Sequence, residues 1–270
     1  MKVEPRAVAR FETQVAVVTG GASGIGAAVA RMFVGEGGAV VIADLNSDRL
    51  HAMTDELGER CVALDADMTV ETDVERTVGT AFSKFGRLDV GFNVAGIGNV
   101  QRIVEMDRAT WDNVLGANLT GVMLGMKYEA RQLLAQGHGG AIVNVASLNS
   151  IVPMHMGSAY CATKAGVAML SQCGALELGE AGIRVNTVSP GLTRTPLTQA
   201  GLAVDEIRDA YLERIPLGTV GEPEQIAAAA AFLASREASY VSGINLIVDG
   251  AWATTGYPDL RFMAERQAAR

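Results

Sequence analysis

The sequence predicts a single α/β domain, a doubly wound parallel sheet of about seven strands with helices on both faces. Three observations predict it. Short β-rich runs alternate with longer helical patterns through most of the chain, which requires parallel strands joined by helical crossovers. Most of those runs are continuously apolar, as strands covered on both faces are. A glycine-rich turn joins the first run directly to the first helix, so a helix N-terminus opens toward the carboxyl edge of the sheet.

Taken in order, the first strand is expected at 14–19 (QVAVVT), followed by a helix at 24–36 that starts within the glycine-rich turn. The second strand, 39–44 (AVVIAD), leads to a helix at 47–57 with Ser47 as a cap; the third, 61–65 (CVALD), leads to one at 71–85 with Thr72 as a cap. The fourth strand, 88–94 (LDVGFNV), precedes a long helix at 107–135. Asn118 is a poor interior residue there and marks a local break where its carbonyl group holds a water. The fifth strand, 141–146 (AIVNVA), is followed by a helix at 158–180, and the sixth, 184–189 (RVNTVS), by helices at 202–214 and 223–234. Pro223 suits a first helical turn. The run INLIV at 244–248 closes the sheet.

Composition narrows the class. In 270 residues, 49% are apolar and 19% charged, which supplies a core and excludes disordered, collagenous and coiled-coil chains. The net charge is −8, from 22 Lys and Arg against 30 Asp and Glu, and the basic residues are scattered. Neither nucleic acid nor an anionic membrane is an expected partner; small molecules are. No apolar run reaches the roughly 20 residues that span a bilayer. Residues 1–13 hold no apolar core of an export signal, so a cytoplasmic location is expected. Cys61, Cys161 and Cys173 form no CxxC pair, and His51, His138 and His155 lie far apart. Reduced thiols and no metal centre are expected. Without an interior linker or repeat, the domain is 11–252, with an arm at 1–10 and a tail at 253–270 carrying Tyr257, Pro258, Phe262 and Met263.

The turn TGGASGIG at 19–26 reads as a pyrophosphate cradle. Gly20, Gly24 and Gly26 let the backbone turn tightly and approach a ligand, while N–H groups of Ser23, Ile25 and their neighbours meet its charge. Asp44 ends the next strand, where a carboxylate accepts from ribose hydroxyls and repels a 2′-phosphate. Leu45 and Asn46 offer no cation, so NAD is the expected cofactor rather than NADP. Asp67 and Met68 follow the third strand and suit the adenine, and Asn93, Ala95 and Gly96 follow the fourth; all stand at carboxyl strand ends.

Tyr160 and Lys164 are one helical turn apart on one face. A cation about 4 Å from the phenol, at an effective dielectric of about 20, offers roughly 4 kcal/mol, which brings tyrosinate within reach. Ser147 leaves the fifth strand at the same edge as the cradle. A YxxxK match alone is most often a half-buried tyrosine beside an exposed lysine; its company here gives it weight.

In this combination the sequence resembles the short-chain dehydrogenase/reductase family over nearly all of 11–252. The resemblance rests on TGGASGIG, the Asp44 strand end, Asp67, NVAG at 93–96, Asn118, Ser147, YCATK at 160–164, Pro190-Gly191 and VDG at 248–250. Val94 departs from the second Asn common in the family's NNAG. The resemblance implies a Rossmann-type fold and a catalytic set of Asn118, Ser147, Tyr160 and Lys164. Tyr160 would take the alcohol proton, Ser147 orient the substrate oxygen, and Lys164 bind the nicotinamide ribose and lower the Tyr160 pKa. Asn118 would hold a relay water. Pro190, Gly191, Leu192 and Thr193 would line the nicotinamide, with the Leu192 N–H and Thr195 hydroxyl on its carboxamide.

Residues 195–217 alternate an apolar helical face (Leu202, Ile207, Tyr211) with charges and would cover the substrate. With Ile151, Val152, Met154 and Met156 they suggest a hydrophobic hydroxysteroid-like, cyclic or terpenoid alcohol or ketone. Small residues on several faces of 158–180 suit a homotetramer or homodimer, with the tail reaching a neighbour. An NADPH-linked ketoacyl-carrier reductase and a silent NAD-binding sensor are the alternatives. A serine hydrolase fails because Ser147 lacks a GxSxG frame.

Overall fold

The computed structural model describes residues 9–256, and seven strands in it form one parallel sheet. They are β1 (Val15–Thr19), β2 (Ala39–Asp44), β3 (Cys61–Asp65), β4 (Val90–Asn93), β5 (Gly140–Val145), β6 (Ile183–Pro190) and β7 (Asn245–Val248). Their spatial order is β3-β2-β1-β4-β5-β6-β7. The chain runs outward one way from β1 and then returns to pair β4 on its other side, so a crevice opens at the carboxyl ends of β1 and β4. Thr19 is in register with both Ala43 and Asn93, which brings three strand ends level. Every residue of β1 is buried, as its unbroken apolar run requires. The residues of β7, at the edge, are only half-buried.

The helices are α1 (Gly24–Gly35), α2 (Ser47–Leu57), α3 (Glu71–Phe85), α4 (Arg108–Leu115), α5 (Gly121–Gln136), α6 (Ser158–Leu178), α7 (Gln199–Leu202), α8 (Asp205–Leu212) and α9 (Pro223–Ala234). One face of the sheet is covered by α1, α2 and α9, whose Phe33, Leu50 and Ile226 pack with Phe92 and Val188. Phe11 stacks on Phe33 at 4.2 Å between ring centroids, and Phe33 meets Phe92 edge-on at 6.0 Å. Three aromatic rings thus tie the start of the domain to its centre, each burying about 150–250 Å². The other face is covered by α3, α5 and α6 through Val78, Leu133 and Val167 over Val17, Val41 and Ile142. Among the described residues, no helix is long and apolar enough to cross a membrane.

Three expectations change, and the local break expected at Asn118 is present. The cap of α2 is Asn46, whose side chain accepts from the Arg49 N–H at 2.9 Å, while Ser47 is already helical. Helix α3 starts from Val70 without a side-chain cap, and Thr72 lies inside it. The long helix at 107–135 is two helices joined by a π turn, Gly116–Thr120, centred on Asn118. The helix at 202–214 is two short helices, α7 and α8, because Gly201 weakens the first and the chain turns before Asp205 and Glu206 open the second. The proposed tail contacts of Tyr257, Pro258, Phe262 and Met263 lie outside the described residues.

The first crossover leaves no space at Gly26, where an added Cβ would stand 2.1 Å from the Gly20 carbonyl oxygen. At Gly35 nothing lies within 4 Å. In urea unfolding, Gly26→Ala is expected to destabilise the fold by about 2 kcal/mol or more, whereas Gly35→Ala is neutral or slightly stabilising.

Candidate active site

The cleft is built outward from Thr19. Its buried hydroxyl accepts the amides of Val94 at 3.0 Å and Ala95 at 3.2 Å, which holds the exit of β4 against the exit of β1. Gly20, at φ +65°, sits so near that an added Cβ would lie 2.9 Å from the Ala95 Cα. Ser23 then caps α1 with extended backbone and no side-chain bond, leaving N–H groups of the first turn to a ligand. Gly20, Ser23, Gly24, Ile25 and Gly26 form one wall of a cavity of about 350 Å³. Asp44, Leu45, Asp67, Met68, Ala95 and Gly96 form the rest of what the sequence placed there. The Asp44 carboxylate is aimed by the Ala22 N–H at 3.2 Å and the Asn46 N–H at 3.1 Å. Asp67 is fixed by accepting from the Thr69 amide and hydroxyl, both at 2.8 Å. None of the described residues lining this cavity is Arg or Lys.

A second cavity of about 120 Å³ shares Ile25, Val94, Gly96, Thr195 and Leu197 with the first, so the two are one cleft. Ser147, Tyr160, Lys164, Pro190, Gly191, Thr193 and Thr195 line it. Ser147 leaves β5 and accepts the Asn149 N–H at 3.1 Å, which sets its hydroxyl at the strand end. Lys164 is buried and its Nζ donates to the Val145 carbonyl at 2.9 Å. Burial pushes this ammonium down to about 8.

The Tyr160 phenol does not follow the sequence expectation. Burial raises its pKa, and the neighbouring Ser147 hydroxyl only partly opposes this. The Lys164 Nζ is 5.8 Å from the phenol ring centroid and spends a proton on Val145, so in this arrangement it does not lower the Tyr160 pKa.

Asn118 is fully buried on the π turn, where the Gly121 N–H reaches back five residues to Gly116. Its Oδ1 accepts from the Ile97 N–H at 2.7 Å and its Nδ2 donates to the Ile97 carbonyl at 2.9 Å. The side chain therefore holds the loop after β4 and does not line the cleft. It still borders the lysine: a Cβ on Gly96 would lie 2.9 Å from Asn118 Oδ1 and 3.5 Å from Lys164 Nζ. A π turn leaves a main-chain carbonyl without its usual partner.

Two further residues are placed differently. Asn93 is 1% exposed and turns inward, donating to Glu129 Oε2 and Asn144 Oδ1, both at 2.9 Å. Leu192 lines neither cavity, and its carbonyl accepts the Gly221 N–H at 2.9 Å. Residues missed in the sequence are Ile97, Ala117, Pro196 and Thr198. Thr198 had a local signal, a threonine three residues after Thr195, and it donates to the Thr193 carbonyl at 2.6 Å.

Ile151 and Met156, between β5 and α6, and Val204 and Ile207, at the start of α8, are exposed apolar residues. The Gln101 N–H donates to the Met156 carbonyl at 2.7 Å and ties the loop after β4 to the segment before α6. Tyr211 of α8 meets Trp252 edge-on at 5.5 Å. A larger hollow of about 610 Å³ lies at the opposite strand edge, lined by Arg87, Asp89, His138 and Arg184, and holds none of the candidate residues.

A parallel sheet with a glycine cradle and a Tyr-Lys-Ser cleft at one edge defines a dinucleotide-dependent oxidoreductase. A family model described as enoyl-(acyl carrier protein) reductase matches residues 20–252. Cyclohexanol dehydrogenase of Acinetobacter sp. (strain SE19) is 38% identical over 91% of this chain and 97% of its own. Cis-4-hydroxycyclohexanecarboxylate dehydrogenase of Sinomonas cyclohexanicum is 43% identical over 90% and 97%. A solved short-chain type dehydrogenase/reductase from Mycobacterium ulcerans superposes with a TM-score of 0.87 at 34% identity, covering 95% of each chain. The chain belongs to the short-chain dehydrogenase/reductase family. It is an oxidoreductase of CH–OH donors and binds a nicotinamide cofactor, which the cradle fits in shape and in hydrogen-bond donors.

Because Lys164 holds its proton less tightly when folded, the unfolded chain binds more protons between about pH 8 and about pH 10. Over that window the parent is expected to gain several degrees of melting temperature relative to Lys164→Met, with no relative change just below it, as read by scanning calorimetry.

Proposed function

We propose that this protein oxidises a cyclic secondary alcohol, or reduces the matching ketone, with NAD as its preferred cofactor. One observation carries the reading: Ser147, Tyr160 and Lys164 open on a cavity continuous with the Asp44-walled glycine cradle. When bound, the nicotinamide supplies the hydride acceptor or donor. Tyr160 exchanges the proton at the substrate oxygen, and Ser147 holds that oxygen with its hydroxyl. The raised phenol pKa suits proton donation to a ketone; in the oxidising direction the Lys164 charge, present below about pH 8, must come closer to favour phenolate. Lys164 would hold the nicotinamide ribose. The carbonyl freed at the Asn118 turn would hold a water that carries protons onward from Lys164.

Asp44 supports NAD. It would accept from the adenosine ribose hydroxyls and repel a 2′-phosphate, and none of the described residues lining the cavity is basic and able to offset that repulsion. The cyclic substrate rests on the relatives named for cyclohexanol and hydroxycyclohexanecarboxylate and on the exposed apolar residues Ile151, Met156, Val204 and Ile207 in the segments the sequence assigns to the substrate. Residues 11–252 are the working unit, with 195–217 as the substrate lid. Exposed Met169 and Leu176 on α6, 61% and 84% accessible, favour a homotetramer or homodimer. The three free thiols suit the cytoplasm.

The test is steady-state turnover with NAD⁺ and NADP⁺ on cyclic, steroid and open-chain secondary alcohols, followed by nicotinamide absorbance. NAD⁺-linked oxidation of a cyclic alcohol is expected, and an NADPH-linked preference would overturn the cofactor reading. Tyr160→Phe is expected to lower kcat by about 10²–10⁴-fold with NADH affinity within about twofold. Asp44→Ala is expected to reduce the NAD-over-NADP ratio of kcat/KM by about tenfold or more.

A further inference from the structure

One buried carboxyl group has no part in the mechanism above. Glu129 of α5 is 0% exposed and lies beneath the sheet with Asn93 of β4. Asn93 Nδ2 has two protons and gives one to Glu129 Oε2 and the other to Asn144 Oδ1 of β5, each at 2.9 Å. The remaining oxygen on each partner, Asn93 Oδ1 and Glu129 Oε1, is buried without a hydrogen bond. When the amide proton given to the carboxyl group is the one on the same side as the amide oxygen, the two planar groups meet as a cyclic pair with the amide oxygen opposite the second carboxyl oxygen. Two acceptors cannot satisfy each other, whereas one proton between them satisfies both.

We propose that Glu129 is held as a neutral carboxylic acid that donates from Oε1 to Asn93 Oδ1, and that this acid–amide pair positions the ends of β4 and β5 that carry the active site. Space is reserved for the pair on both sides. A Cβ on Gly91 would lie 2.2 Å from the Glu129 Cδ, and one on Gly125 would lie 2.1 Å from Asn93 Oδ1. Asn144 continues the network by donating to the Ser171 hydroxyl of α6 at 2.8 Å. Asn93 immediately precedes the two amides that Thr19 receives. Asn144 immediately precedes Val145, the acceptor for Lys164, and stands three residues before Ser147.

Among the described residues, no countercharge is paired with Glu129. The elements β4, β5 and the π turn carry no titratable side chain. From α6, Lys164 is committed to Val145, Cys161 is half-buried beside Tyr160, and Cys173 and Glu177 are exposed. From α3, Glu71 pairs with Lys127 and Asp73 with Arg76, while Glu75 and Lys84 are exposed. Burial accordingly pushes the Glu129 carboxyl up to about 7, against a smaller opposing effect from the Asn93 N–H.

Glu129→Gln separates the possibilities, since a glutamine reproduces the neutral acid's donor and acceptor but not a carboxylate. The folded parent retains a proton that the unfolded chain has lost between the ordinary carboxylate value, about 4.3, and about 7. The parent is therefore expected to lose several degrees of melting temperature relative to Glu129→Gln across that range, with no further relative loss above it. Infrared difference spectra of the two proteins near about pH 5 should show an undissociated carboxyl C=O band in the parent alone. A melting difference flat with pH, together with no such band, would mean that Glu129 is ionised. The kinetic half rests on the oxidoreductase reading. Glu129→Ala should lower kcat/KM by about tenfold or more, with Glu129→Gln restoring it to within about threefold. Should the alanine variant fail to fold, the glutamine variant still decides: poor turnover beside the expected melting and infrared behaviour would overturn the positioning role while sparing the neutral acid. Inactivity of the parent on every alcohol tested would count against the proposed substrate reading and leave the melting and infrared results standing.

Discussion

The hydroxyl of Thr19 at the end of β1 takes the amides of Val94 and Ala95, and the cleft depends on those two strand ends staying together. At this point the sheet changes direction, so the contact between β1 and β4 separates the glycine cradle from the loop that reaches the catalytic edge. Gly20 can approach Ala95 only because it has no side chain. Losing the hydroxyl would leave two half-buried N–H groups unpaired, and an unmet donor costs more than the bond's net worth of about 1 kcal/mol. A contact of modest strength therefore governs the shape of both halves of the site.

Electrostatics in the cleft follow from burial. Lys164 and Tyr160 are each pushed toward their neutral forms, the amine downward and the phenol upward. The Val145 carbonyl accepts from the amine, and the Ser147 hydroxyl partly opposes the rise of the phenol. Both groups hold their protons in a low-dielectric setting, where a ligand's small displacement of the ammonium changes the phenol strongly. The same physics acts below the sheet at Glu129, where burial pushes the carboxyl up to about 7.

Much of this was legible in the residues. Short β-rich runs, most of them continuously apolar as strands covered on both faces are, identified all seven strands. The glycines of 19–26 and the Tyr160-Lys164 spacing led to the two ends of one cleft. The inward turn of Asn93 was not read, although it shares a strand face with Gly91 by the period of two. Glu129 also left a trace. Val122, Met126, Glu129 and Leu133 fall on one helical stripe, and all four are buried, so a lone carboxyl group stood in an apolar row. What could not be read was its partner, since pairing across a sheet and a helix depends on tertiary packing. The break near Gly201 and the capping by Asn46 turned on single backbone turns that propensity does not resolve.

The most direct measurement follows the transferred atom. Cyclohexanol carrying deuterium at the carbinol carbon would be turned over with NAD⁺, and the reduced cofactor analysed by mass spectrometry. The predicted result is one deuterium in the NADH, carried there directly from carbon. Cyclohexanone formed with NADH that holds no deuterium would contradict direct hydride transfer in this cleft.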